Sequence, residues 1–111
     1  MCRALKVLCA APGRDRLGQL KRATVSTNWE LVGGAASIEE VREQIDSWRP
    51  DVVVFDAALG PEAVETARAA LDRVRIVTVG SAIVGADDVA ASLDEVRAAV
   101  LGLPRPGGPI R

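Results

Sequence analysis

The chain contains no histidine. That absence takes away the commonest transition-metal ligand and the commonest general base, so zinc sites and Ser-His or Cys-His catalysis lack their usual parts. The sequence therefore predicts a protein that is not an enzyme and carries no cofactor. Aromatic residues are only 3% of the chain, so the core must be aliphatic, built from the abundant Ala and Val with helices lying close to strands. Net charge is −1. Neither bulk positive charge nor stacking aromatics are present to hold nucleic acid. No apolar run approaches the roughly 20 residues of a membrane-spanning helix, and the first residues lack the apolar stretch of a secretory signal. No membrane partner is expected, and a cytoplasmic location is. Cys2 and Cys9 are the only cysteines, and Cys9 lies inside an apolar run, which argues against a disulfide framework.

What is present suits one globular domain: 111 residues, 49% apolar and 26% charged, with no length for a second core. Ala4 to Ala11 is a short apolar stretch stopped by Pro12-Gly13, a strand entering a turn. From Arg14 to Thr24, Leu17, Leu20 and Thr24 share one helical face, while Arg14, Arg16, Lys21 and Arg22 form a modest basic face expected to be solvated. Trp29 to Val32 is a second strand, closed by Gly33-Gly34 in a turn. Ser37-Ile38-Glu39-Glu40 is a capping box, with Glu40 expected to reach back to the Ser37 amide. It opens a helix whose apolar stripe is Ile38, Val41, Ile45 and Trp48 and which stops before Pro50.

Asp51 to Phe55 is apolar at consecutive positions instead of alternating, the pattern of a strand buried on both faces, and Asp56 ends it. Pro61 suits the first position of a third helix with Val64, Ala67 and Leu71 inward. Val74 to Val79 is another buried strand. Ser81 to Val89 is too short for a full helix and strand. Ser92-Leu93-Asp94-Glu95 is a second capping box, opening a last helix through Leu101 with Leu93, Val96 and Val100 inward. Leu103 to Arg111, rich in Pro and Gly, is expected to be a tail or the start of a linker, so that residues 1–103 form the domain and 104–111 lie outside it.

Strand and helix alternate at least three times, and right-handed crossovers then give a three-layer α/β/α domain with a parallel sheet of four to five strands. In such folds chemistry gathers at the carboxyl ends of the strands. Those ends are residues 10–14, 33–36, 56–60 and 80–84.

The stretch Arg49 to Gly60, with Asp56 closing its apolar run, resembles the third strand and following loop of response-regulator receiver domains. Lys6-Val7-Leu8 resembles the receiver's first strand and Ile76 to Ser81 its fourth, so the likeness covers about residues 3 to 103. It implies a flavodoxin-like topology, with Asp56 as the phosphoacceptor equivalent and Ser81 as the switch hydroxyl. The departures carry chemical weight. A receiver neutralises the transferring phosphoryl group with Mg²⁺ on an acidic pair after the first strand and with a lysine after the fifth. Here Ala10 and Ala11 stand at the acidic-pair positions, the lysine position falls near Ser92, and no lysine follows Lys21. The fourth helix has no room between Ser81 and Gly85, so it is expected to be shortened or absent.

A second resemblance is to the phosphotransferase-system sugar-transport IIB proteins, in which a thiolate near the end of the first strand carries phosphate. It implies Cys9 as an alternative phosphocysteine. The loop after Cys9 lacks hydroxyl residues, and Pro12 removes an amide donor. Three readings stand open: an atypical receiver acting by protein-protein interaction, a phosphoacceptor receiver using Asp56, and a phosphocysteine carrier. The first implies a protein partner or a second copy of the chain. Loss of the fourth helix is expected to uncover Ala82, Ile83 and Val84 beside Val89 and Ala90, an apolar patch fit for an interface such as a homodimer. As a receiver-like part, the chain would suit a transcriptional regulator or a partitioning-type ATPase.

Overall fold

The computed structural model describes residues 5–101; the expected tail and Cys2 lie outside them. Five strands form one sheet in the order β2-β1-β3-β4-β5, and every pairing is parallel. The strands are β1 (Leu5–Ala10), β2 (Trp29–Leu31), β3 (Val52–Asp56), β4 (Arg75–Val79) and β5 (Asp88–Ala90). The helices are α1 (Arg14–Thr24), α2 (Ile38–Trp48), α3 (Pro61–Ala70) and α4 (Val96–Leu101), the last preceded by a 3-10 turn over Leu93–Glu95. No helix joins β4 to β5; residues 80–87 form a loop.

The continuous apolar runs arise because both faces of the sheet are covered. Along β3, Val52 and Val54 face one layer with Leu17 and Leu20 of α1 and Val96, Ala99 and Val100 of α4. Val53 and Phe55 face the other, with Val41 and Ile45 of α2 and Ala63, Val64 and Ala67 of α3. All five residues of β3 are buried. Truncating Phe55, the largest fully buried side chain, to alanine would cost about 3–5 kcal/mol in transfer energy and cavity.

Local signals in the sequence act with small offsets. The Ser37 hydroxyl accepts the Glu40 amide N–H at 3.3 Å, as a cap should, but the Glu40 carboxylate takes the N–H of Ala36 at 2.7 Å instead of that of Ser37. The second box shifts likewise: Glu95 accepts from Ala91 at 3.3 Å, and the Ser92 side chain makes no capping bond. Helix α3 ends at Ala70, so Leu71 follows its last turn and packs half-buried against the core. Trp48, expected in the core stripe, is 41% exposed. It occupies the last helical position, where the chain turns away through left-handed Arg49, and its indole N–H donates to Gln44. Trp29 is the core tryptophan, buried with its indole N–H on the Thr24 carbonyl at 2.8 Å.

Candidate functional site

In the strand order 2-1-3-4-5 the chain leaves β1 toward one edge of the sheet and β3 toward the other, so a crevice opens where the carboxyl ends of β1 and β3 meet. The residues that line up there are Ala10, beside Phe55 in the register, and Asp56, one step further on. Alternation along β3 puts Asp56 on the same face as Val52 and Val54, the face covered by α1. Asp56 is only 6% exposed. One oxygen, Oδ1, accepts the Ala58 N–H at 2.9 Å and caps the 3-10 turn Ala57–Leu59. The other, Oδ2, receives the Arg16 Nε–H in a short ion pair.

That pair corrects two expectations. Arg16 is not a purely solvated member of a basic face, and Asp56 does not stand without a cation. Residue 16 sits in the first turn of α1, directly over the carboxyl end of β3, and its guanidinium also donates to Gln19 at 3.1 Å. A sequence reading misses it because forty positions separate the partners.

The acidic-pair positions hold methyl groups. Ala10 and Ala11 are fully buried, and the backbone after β1 is tied to the chain beyond β2: Ala11 donates to Ala35, Gly13 to Ala36, and Ala35 to Cys9, at 3.0–3.2 Å. Among the described residues no group of three or more His, Cys, Asp or Glu could hold a metal ion. Asp15 does not complete one.

Ser81 is exposed, beyond Gly80, whose positive φ bends the chain so that its N–H meets the Ala90 carbonyl at 2.9 Å. It makes no hydrogen bond to Asp56. A hydroxyl does sit one residue before Val79, the strand partner of Asp56: Thr78 is fully buried and donates to the Ser81 carbonyl at 2.9 Å. Ser92 marks the start of the last 3-10 turn and supplies no cation.

Cys9 lies within β1, paired with Val54, and is fully buried. Burial pushes its thiol up to about 11, only partly offset by the Thr24 hydroxyl and the Lys21 charge. A thiol so placed stays protonated near neutrality and has no approach for a phosphoryl donor.

The patch expected from the missing helix is smaller than the sequence implies. Ala90 is fully buried and Val89 half-buried. Ile83 and Ala86 fold back onto the layer of Val64, Val74 and Ile76, in a turn closed by the Ala86 N–H on the Ile83 carbonyl at 3.1 Å. What covers the gap is the loop itself. Ala82 remains exposed, and Val84 is 94% exposed.

No family model matches the chain, and no curated protein matches it at a significant level. Solved structures do. The response regulator domain of Thermotoga maritima CheB superposes with a TM-score of 0.68 at 22% identity, covering 90% of this chain and 92% of that one. The REC domain of AraT, a response regulator from Geobacillus stearothermophilus, gives 0.71 at 19% identity with the same coverage. The fold is that of a response-regulator receiver domain. Within this fold, the crevice at the carboxyl ends of β1 and β3 holds the Asp56 carboxylate and the Arg16 guanidinium, with Ala10 ending β1 and Ala11 following it. Among the described residues no helix is long and apolar enough to cross a membrane.

Proposed function

We propose that this receiver fold serves as a non-enzymatic signalling module that works by protein-protein interaction, without Mg²⁺-dependent phosphorylation of Asp56. The Arg16–Asp56 pair carries the reading. Phosphoryl transfer to a carboxylate needs a free oxygen for in-line attack and cations placed on the transferring oxygens. Here one oxygen is engaged by Ala58 and the other by Arg16. A hard divalent cation needs several oxygen ligands, and the positions that would supply them are Ala10 and Ala11. The guanidinium, tethered to α1, holds the place where a cation would act. Such a module would act in the cytoplasm as part of a two-component type of system. Its partner is a protein, a second copy included.

Incubation with acetyl phosphate and Mg²⁺, followed by intact mass, tests the chemistry. The expected outcome is unmodified protein, with no shift in melting midpoint on adding Mg²⁺. A stoichiometric, base-labile adduct that disappears in Asp56→Asn would overturn the reading in favour of a phosphoacceptor. Transfer from a phosphohistidine donor that is lost in Cys9→Ser would overturn it in favour of a phosphocysteine carrier.

A further inference from the structure

We propose that the depression at the amino ends of β3 and β4, at the far end of the sheet from Asp56, binds a small organic monocarboxylate with a ring-sized apolar body. The site goes beyond the interaction reading above and does not depend on it.

The pocket measures about 180 Å³ and is lined by Arg49, Pro50, Asp51, Leu71, Arg73 and Val74. A cavity of about 150 Å³ admits a benzene ring, so a body of that size has room. The apolar surface comes from Pro50 and Val74, both buried, and from half-buried Leu71. Its backbone is held in place. Asp51 donates its N–H to the Lys6 carbonyl at 2.9 Å and accepts the Arg75 N–H on its own carbonyl at 3.1 Å, while the Val74 N–H meets the Leu71 carbonyl at 3.2 Å. A preformed wall loses little freedom when a ligand arrives.

Charge selects the ligand. Arg49 follows the last residue of α2, and Arg73 lies in the turn between α3 and β4. Among the described residues, neither guanidinium has an ion pair or hydrogen bond within the chain. Asp51 is the only acid of the lining, and its Oδ2 already accepts the Lys6 N–H at 2.8 Å. Two positive charges against one negative leave an excess that a single carboxylate neutralises, and the planar fork of a guanidinium matches its two oxygens.

Backbone strain points to the same residue. Arg49 is the one non-glycine residue of positive φ among the described residues, at 49°, and it occupies a helix end where glycine is favoured. The chain keeps a long cationic side chain in a left-handed conformation, and that side chain has no partner inside the molecule. Strain retained in this way is a mark of function.

The test is an amide chemical-shift titration of the whole chain with sodium benzoate up to about 10 mM. Acetate supplies the charge without the body, and benzyl alcohol the body without the charge. Benzoate should shift the amides of Arg49, Asp51 and residues 71–74 saturably, with a dissociation constant of about 1 mM or tighter; each control compound should bind at least about tenfold more weakly. Arg49→Gly and Arg73→Gln should each weaken benzoate binding about tenfold or more. Arg49→Gly should at the same time hold or raise the melting midpoint, because glycine relieves the left-handed strain, so its loss of binding is separable from unfolding. Arg22→Gln, on the exposed face of α1 across the sheet, should leave binding intact. Absence of a saturable shift, a control compound that binds as tightly as benzoate, or benzoate binding that survives either pocket substitution overturns the proposal.

Discussion

The guanidinium of Arg68 lies 2.7 Å from the carboxylate of Asp87, and through that contact helix α3 grips the loop that stands where a helix is missing. Asp87 is itself stitched to β4, donating its N–H to the Ile76 carbonyl and accepting the Ile76 N–H on Oδ2, both at 2.8 Å. Arg68 further donates to the carbonyls of Asp72, Val74 and Gly85. One side chain thus satisfies backbone acceptors in the connection before β4 and in the loop after it. Arg68→Ala should lower stability by about 1–3 kcal/mol and raise amide exchange selectively over residues 83–89. Arg68→Lys should rescue little, since an ammonium cannot reach this planar set of acceptors. Uniform exchange in Arg68→Ala would show that the bracket is not what holds the loop.

The same contact sets an acid limit. Burial would raise the Asp87 carboxyl, but the Ile76 amide and the Arg68 guanidinium outweigh it, with Arg75 adding its charge, and the group titrates below the ordinary aspartate value. A carboxyl lowered in the folded state contributes stability that is complete above the unfolded value of about 3.9. The contribution is lost as pH falls through the lower folded value. Denaturant midpoints measured from neutral pH down into that acid range should fall less steeply in Asp87→Asn than in the wild type. Parallel curves would show that Asp87 makes no linkage contribution.

Most of the architecture was legible along the chain because it follows from local patterns. Pro12-Gly13, Pro50 and Pro61 punctuate the elements, and the unbroken run Val52 to Phe55 announces burial on two faces, which the strand shows. Helix α1 begins and ends at the expected residues. What escaped is long-range. Neither the Arg16–Asp56 pair nor the Arg68–Asp87 bracket leaves a trace in periodicity, since an arginine on a helix looks solvated until its partner is folded beside it. Loss of a helix suggested an open patch, yet Ile83 and Ala86 had the freedom to fold inward and fill it. Trp48 matched its stripe in spacing but sits at the helix end, where the stripe has already left the sheet.

Charge bookkeeping at the crevice predicts an unequal response to its two halves. Arg16→Ala strands a buried carboxylate and should cost about 1–3 kcal/mol, tempered by the partial exposure of Arg16. Asp56→Asn removes the buried charge, can keep the bond to the Ala58 N–H, and lets Arg16 return to water. It should cost less, about 1 kcal/mol or below. Equal losses, or a larger loss in Asp56→Asn, would mean that the carboxylate is stabilised by something other than the guanidinium.

Cys9 gives a prediction at the alkaline end. Its thiol is raised from 9.0 to about 11 by burial, so between those values the unfolded chain ionises and the folded chain does not. Stability held below pH 9 should therefore decline as pH rises toward 11, by up to about 2–3 kcal/mol. Cys9→Ala removes the titrating group, so the variant's curve should lack the extra slope that the wild type shows. In a Cys2→Ser background, a thiol reagent at about pH 8 should modify Cys9 only after denaturant is added. Rapid modification of the native protein would show that the strand opens or that the thiol is reachable.

Gly33 provides a steric test of how α2 is docked. Its φ of 45° lies in the left-handed region, and a Cβ there would stand 2.1 Å from the Gln44 carboxamide oxygen and 2.5 Å from the indole nitrogen of Trp48. That oxygen accepts the Gly34 N–H at 3.1 Å and the Trp48 indole N–H at 3.2 Å, so it joins the turn after β2 to the end of α2. Gly33→Ala should evict it and lower stability by about 1–3 kcal/mol, combining backbone strain with the lost bonds. Part of that cost is carried by Gln44 alone. Introduced into a Gln44→Ala background, Gly33→Ala should therefore cost less than it does in the wild type, leaving a coupling of at least about 0.5 kcal/mol in the double-mutant cycle. Strict additivity would place the penalty in the Gly33 backbone and its approach to Trp48, and remove Gln44 from the docking of the helix.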